Sequence, residues 1–105
     1  EKDQQDTLLN PTVIIEVLSP STEIYDRGKK FQYYRELDSL QEYVLISQDQ
    51  ARIECYLRQP DGKWLFSEAR GLEASLDLPS IECTLALATV YKRVNFAPAE
   101  TAPPT

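Results

Sequence analysis

Histidine and methionine are absent from this sequence, and it holds only three glycines, two cysteines and one tryptophan. Each scarcity closes something off. Cys55 and Cys83 lie far apart, without the paired spacing of a metal site. With no imidazole to join them, the pattern argues against structural zinc. Both are expected as small buried hydrophobes of a reduced, cytoplasmic protein rather than as a disulfide. No apolar run approaches the roughly 20 residues that cross a bilayer, so no membrane partner is expected. Nor does a basic, apolar leader open the chain to suggest secretion. Cations are outnumbered, 11 Lys and Arg against 17 Asp and Glu, giving a net charge of −6. A field of that sign does not draw in nucleic acid, although it leaves room for a local basic face.

What is present has an ordinary globular composition, at a length that supports one domain with a single modest core. Residues 1–10, EKDQQDTLLN, are polar and aperiodic and are expected to form a flexible lead-in. The proline-rich tail, 97–105, is expected to be disordered. Between them, Val13, Ile14, Ile15, Val17 and Leu18 make a near-continuous apolar run. That pattern belongs to a parallel strand covered on both faces. Ser19-Pro20-Ser21-Thr22 stops the strand and caps a helix predicted over 22–37, with Gly28 weakening it by about 1 kcal/mol relative to alanine. A second apolar strand follows over 42–46, which completes a βαβ unit with a right-handed crossover. Residues 51–58 alternate in and out, Pro60-Asp61-Gly62 signals a turn, and 63–69 pair back as a hairpin. A short strand is predicted over 75–78 and a closing helix over 85–94, with Leu85, Leu87 or Ala88, and Tyr91 facing inward. The reading is an α/β fold with a mixed sheet.

One acid interrupts the first strand. Glu16 shares a face with Ile14 and Leu18, and a covered carboxylate is costly unless it is paired or holds a cation. Two readings stand: a structural ion pair, or a metal-binding or catalytic carboxylate at the carboxyl end of a parallel strand. On a helical wheel Ile24, Phe31, Tyr34 and Leu37 span one arc, and Lys30 falls inside it. Lys29 lies opposite, with Gln32 and Glu36, as a solvated charge. Lys30 therefore points toward the sheet that carries Glu16. Asp26, four residues before Lys30, offers either a simple ion pair along the helix or a means of orienting a catalytic lysine.

The blocks PTVIIEVLSPSTEIYDRGKKFQYYR, SLQEYVLISQDQARIECYLRQPDGKW and LDLPSIECTLAL closely resemble the Uma-two family of the PD-(D/E)XK restriction-endonuclease-like superfamily, over nearly everything from Leu9 to Val94. The resemblance implies a metal-dependent endonuclease that uses Mg²⁺ or Mn²⁺ on DNA. Glu16 matches the family's metal-binding acid and Lys30 the lysine of its DRG-K-F block, which has moved from the strand, where Val17 now stands, to the following helix. The carbonyl of Val17 would be a further ligand. Asp26 would either orient Lys30 or serve helix capping and dipole pairing, Tyr34 would either hydrogen-bond the lysine or a phosphate or simply pack with its hydroxyl at the surface, and Arg27, Lys29 and Arg35 would either touch a phosphate backbone or simply be solvated. Trp64 and the tyrosines read as core or interface. A Pro-Asp pair expected on the preceding strand is missing, since Pro11-Thr12 stands in its place, and Asp3 and Asp6 lie on the lead-in. The resemblance thus implies a restriction-endonuclease-like fold without its N-terminal portion. The protein is expected to form a homodimer. It is either a nuclease domain or an inert, oligomerising remnant of one.

Overall fold

The computed structural model describes residues 10–96. Strand β1 (Val13–Val17) pairs in parallel with β2 (Glu42–Ile46), placing Glu16 opposite Leu45. β3 (Arg52–Arg58) runs antiparallel to β2, and β4 (Trp64–Arg70) antiparallel to β3, giving the order β1-β2-β3-β4. The β3–β4 turn follows its sequence signal. Gly62 adopts φ 89°, and the Lys63 amide donates to Asp61 Oδ1 at 3.0 Å. This mixed four-stranded α/β sheet is consistent with a restriction-endonuclease-like fold.

The crossover helix α1, residues 23–34, is not uniform. An α-turn Glu23–Tyr25 passes into a π-turn Asp26–Lys30 and then an α-turn Phe31–Tyr34. A π-turn takes in one residue more than an α-turn, so residues before it rotate by about 100° relative to those after it. That rotation overturns one expectation. Ile24, placed on the inward arc by a uniform wheel, is 88% exposed. Asp26 takes the inward position and is buried, while Phe31 after the turn packs as expected. The helix also ends at Tyr34, short of the predicted Leu37.

Two layers cover the sheet. On the α1 side, Leu18, Phe31, Tyr43 and Leu45 form one core, joined by Ile14, Tyr34, Tyr56 and Trp64. Phe31 is its hub: ring centroids lie 5.1 Å from Tyr43, 4.5 Å from Tyr56 and 5.3 Å from Trp64. Trp64 and Tyr34, Tyr43 and Tyr56 belong to this core, in line with the reading of core or interface, whereas Tyr25 and Tyr33 are exposed. On the opposite side, Val44, Ile53, Cys55 and Ala69 meet Leu76, Leu78, Leu87 and Tyr91. That second layer consists of a hairpin, β5 (Ser75–Leu78) with β6 (Cys83–Ala86), and a one-turn helix α2 (Leu87–Val90).

Three expectations fail here for physical reasons. The predicted helix over 85–94 begins instead as β6, because its first residues pair with β5 and so satisfy their backbone groups in a ladder. Leu87 and Tyr91 still face inward, whereas Ala88 does not. Cys83 is exposed on β6, so only Cys55 is a buried hydrophobe. Finally, β1 is covered on its α1 face but on the other face only at Val13, which packs against the second core. The second layer centres on β2 and β3, and Ile15 and Val17 stand 49% and 53% exposed.

Truncating the aromatic hub by Phe31→Ala is expected to cost about 3–5 kcal/mol in urea denaturation. Burial pushes the Cys55 thiol up to about 12. A thiol reagent at mild alkaline pH should therefore label Cys83 in the native protein and Cys55 only after unfolding.

Candidate active site

Glu16 projects from β1 on the face that carries Ile14 and Leu18, toward α1. Its Oε2 accepts two hydrogen bonds, from Lys30 Nζ at 3.0 Å and from the Tyr34 hydroxyl at 3.1 Å. Lys30, the last residue of the π-turn, and Tyr34 are four apart and share one face of α1. Asp26 Oδ1 lies 3.4 Å from the same ammonium. The side chains of Glu16 and Lys30 are 21% and 28% exposed, so the pair meets solvent, whereas Asp26 is buried. A buried hydroxyl fixes the helix here, since Tyr43 donates to the Asp26 carbonyl at 3.0 Å.

Protonation states follow from these contacts. The hydrogen bond to Glu16 raises the Lys30 pKa, against an opposing effect of burial. Lys30 is thus a standing cation and donor, not a base. Burial first, and then the bond to Glu16, raise the Tyr34 pKa, which keeps its phenol a donor. The arrangement presents a carboxylate that reaches solvent and, among the described residues, accepts its hydrogen bonds on Oε2.

The four sequence-predicted residues Glu16, Lys30, Asp26 and Tyr34 are brought together. Val17 turns its side chain to the opposite, exposed face. Lys29 is exposed, as expected. Arg35 lies with its guanidinium 4.9 Å from the Phe31 ring. Arg27 fits neither sequence reading, solvated charge or phosphate contact. It donates to Glu54 at 2.6 Å and to Glu23 at 2.8 Å, and Arg52 reaches the other oxygen of Glu54 at 2.6 Å. Glu54 is 1% exposed, so this ion network is a buried clamp between α1 and β3. Simple alternation along β3 marks Glu54 as the polar face. The missing signal was that α1 covers that face too. Glu42 was missed likewise: fully buried, it accepts from the Ser80 amide at 3.2 Å, from the Ser80 hydroxyl and from the Cys55 thiol at 3.7 Å.

A family model, Uma2, described as "Putative restriction endonuclease", matches residues 1–89. The chain belongs to the Uma2 family. Two similar proteins come from Synechocystis sp. (strain ATCC 27184 / PCC 6803 / Kazusa). Uncharacterized protein slr1290 is 40% identical over 86 residues, which cover 82% of this Uma2 chain and 45% of that protein. Uncharacterized protein sll1609 is 41% identical over 73 residues, 70% of this chain and 41% of that protein. The Uma2 chain therefore spans a little under half the length of either relative. Among the described residues, no helix is long and apolar enough to cross a membrane.

Because Glu16 raises the Lys30 pKa on folding, the pair's contribution to stability is fully present below the lysine's unfolded pKa. It is lost as pH rises through the folded value. Glu16→Ala should remove that alkaline loss of stability and bring the Lys30 titration, followed by side-chain NMR, down toward its ordinary value near 10.4.

Proposed function

We propose that this chain carries the carboxylate–lysine half of a Mg²⁺- or Mn²⁺-dependent site that hydrolyses phosphodiester bonds in DNA. The single observation that supports it is the 3.0 Å approach of the Lys30 ammonium, from the crossover helix, to Glu16 on the first parallel strand. An isolated surface ion pair would not need a tyrosine hydroxyl on the same oxygen and a second carboxylate behind the lysine.

The donor set suits a hard divalent ion. Among the described residues, both hydrogen bonds to Glu16 fall on Oε2, leaving Oε1 for another partner, and the buried Asp26 Oδ1 has no hydrogen-bond donor. These are oxygen ligands of the type Mg²⁺ takes, one or two carboxylates with water and phosphate completing the shell. The described residues contain no group of three or more His, Cys, Asp or Glu that could hold a metal by themselves. A further carboxylate therefore belongs to the proposal. β1 is an edge strand with exposed Ile15 and Val17, and a groove of about 320 Å³ lined by Pro11, Val13, Ile14, Tyr34 and Leu37 runs beside it. A strand added at this edge would set its own side chains next to Glu16.

When bound, a divalent ion polarises the phosphate and lowers the pKa of water. Glu16 would hold such an ion, with the Val17 carbonyl as a supplementary ligand. Lys30, permanently charged, orients the attacking water and steadies the charge that develops on the phosphate oxygens. Tyr34 fixes the Glu16 carboxylate plane, and Asp26 holds Lys30 from behind. Lys29 is the exposed cation of α1 placed to meet a phosphate backbone. The expected dimer forms through the other open edge, β4, where Leu65 and Phe66 are exposed.

Calorimetry should detect Mg²⁺ or Mn²⁺ binding that Glu16→Gln abolishes. A relative of full length should cleave plasmid DNA and lose at least about a hundredfold in rate with the equivalent of Lys30→Ala. Absence of binding in both the parent chain and Glu16→Gln would instead favour the inert remnant.

A further inference from the structure

Two aromatic side chains of α1 stay outside the core: Tyr25 is 53% exposed and Tyr33 75%. Single exposed apolar groups are ordinary, but these two are aligned. In a uniform helix, residues eight apart stand about 80° off one line, at about 100° per residue. The residue inserted by the π-turn Asp26–Lys30 takes back about 100°, so Tyr25 and Tyr33 fall within about 20° of each other. Lys29 lies between them, exposed, and among the described residues it forms no ion pair. With Gln32, Tyr33 and Glu36 it lines a hollow of about 270 Å³. Tyr33 and Glu36 share a second hollow, of about 320 Å³, with Tyr34 and Leu37. The row adjoins the candidate site twice: the Tyr25 ring centroid is 5.9 Å from Lys30 Nζ, and Tyr34 donates to Glu16.

We propose that this row binds an unpaired DNA strand, with Tyr25 and Tyr33 stacking on bases and Lys29 meeting the phosphate between them. The inference rests on the reading of the chain as part of a DNA-hydrolysing site and narrows its substrate to single strands. Every base has a π-face, and stacking on an aromatic side chain contributes about 1–3 kcal/mol per base without help from the protein's net field. Duplex binding draws instead on many phosphate contacts, which a chain of net charge −6 is ill suited to make. The spacing argues the same way. The two tyrosines stand about 10–12 Å apart along the helix, whereas bases in a stacked strand repeat at about 3.4 Å. Bases released from a complementary strand can be parted that far. Glu36 repels a phosphate, but its carboxylate accepts from the exocyclic amino group of a base, and the Gln32 amide beside it offers a donor and an acceptor. In a duplex the pairing edges that such groups read are already engaged.

Fluorescence anisotropy of a dye-labelled DNA strand of about 12 nucleotides, at low salt with EDTA present, tests this apart from any metal. The native chain should bind the strand at least about tenfold more tightly than the duplex of the same sequence. Tyr25→Ala and Tyr33→Ala should each weaken strand binding about 5- to 150-fold, the loss of one stacked base. Tyr33→Phe, which keeps the ring, should bind as the native chain does. Lys29→Ala should reduce the slope of log K against log[salt] by about 0.7, the share of one phosphate on a single strand. Urea midpoints should stay at the native value, since all three side chains are exposed. No binding of the strand, equal affinity for strand and duplex, or unchanged binding in Tyr33→Ala overturns the proposal. Strand binding in a chain that calorimetry shows to take no Mg²⁺ removes the metal-site reading and leaves this surface standing. Mg²⁺ binding without strand binding does the reverse.

Discussion

The seating of Phe31 against Tyr43, Tyr56 and Trp64 is the contact on which the rest of this structure depends. A crossover helix of three turns has little stability of its own in water. Its position over the sheet comes from the apolar face it buries. Phe31 is the buried residue of the α-turn that follows the bulge, and it is the immediate neighbour of Lys30. Fixing that ring in register with β2 and β3 fixes where the ammonium can reach, one residue away. Tyr43 serves both purposes, since its ring stacks on Phe31 and its hydroxyl holds the Asp26 carbonyl. The catalytic geometry proposed here is therefore a consequence of core packing rather than of loop placement.

A small acidic domain has few ways to bury charge, and this one buries Asp26, Glu42 and Glu54. Glu54 lies between Arg27 and Arg52, which joins α1 to β3 beneath the sheet's central strands. Such a buried pair adds little net stability over an apolar replacement, but breaking one partner is severe. Its value lies in the angle it imposes. Arg27 leaves the π-turn and must reach Glu54, so α1 cannot roll without breaking that bond. The aromatic hub sets the distance of the helix from the sheet, and the ion network sets its rotation. Rotation is what decides whether Lys30 meets Glu16 or solvent.

Much of this was legible. The apolar runs at 13–18 and 42–46, the alternation along 51–58 and the Pro60-Asp61-Gly62 turn specify the sheet, because hydrophobic period and turn chemistry are local signals. Lys30 was correctly aimed because it closes the π-turn, directly next to Phe31 and one turn from Tyr34, its reference residues. Ile24 was misplaced because it lies on the other side, and a wheel has no means of registering an inserted residue. Leu85, Leu87 and Tyr91 fit a helical period equally well as β6 followed by one turn, and only pairing with Ser75–Leu78 decides between them. The burial of Glu54 and Glu42 depends on what covers them, which is a property of tertiary contacts and not of any window of sequence.

Among the described residues, β1 is an edge strand with no partner on its outer side. An unpaired edge bearing exposed apolar side chains invites uncontrolled pairing, and proteins ordinarily blunt it with charge, proline or a covering segment. Here the apolar Ile15 and Val17 occupy one face, and Pro11 stands just before the strand rather than within it. The one charge on the strand, Glu16, points to the α1 face and is already held by Lys30 and Tyr34. It therefore does nothing to discourage pairing along the edge. An edge so poorly defended is consistent with one meant to be occupied, and the residues beside it are those of the proposed site. A strand arriving there would continue the sheet beside β1 and bring its own side chains next to Glu16.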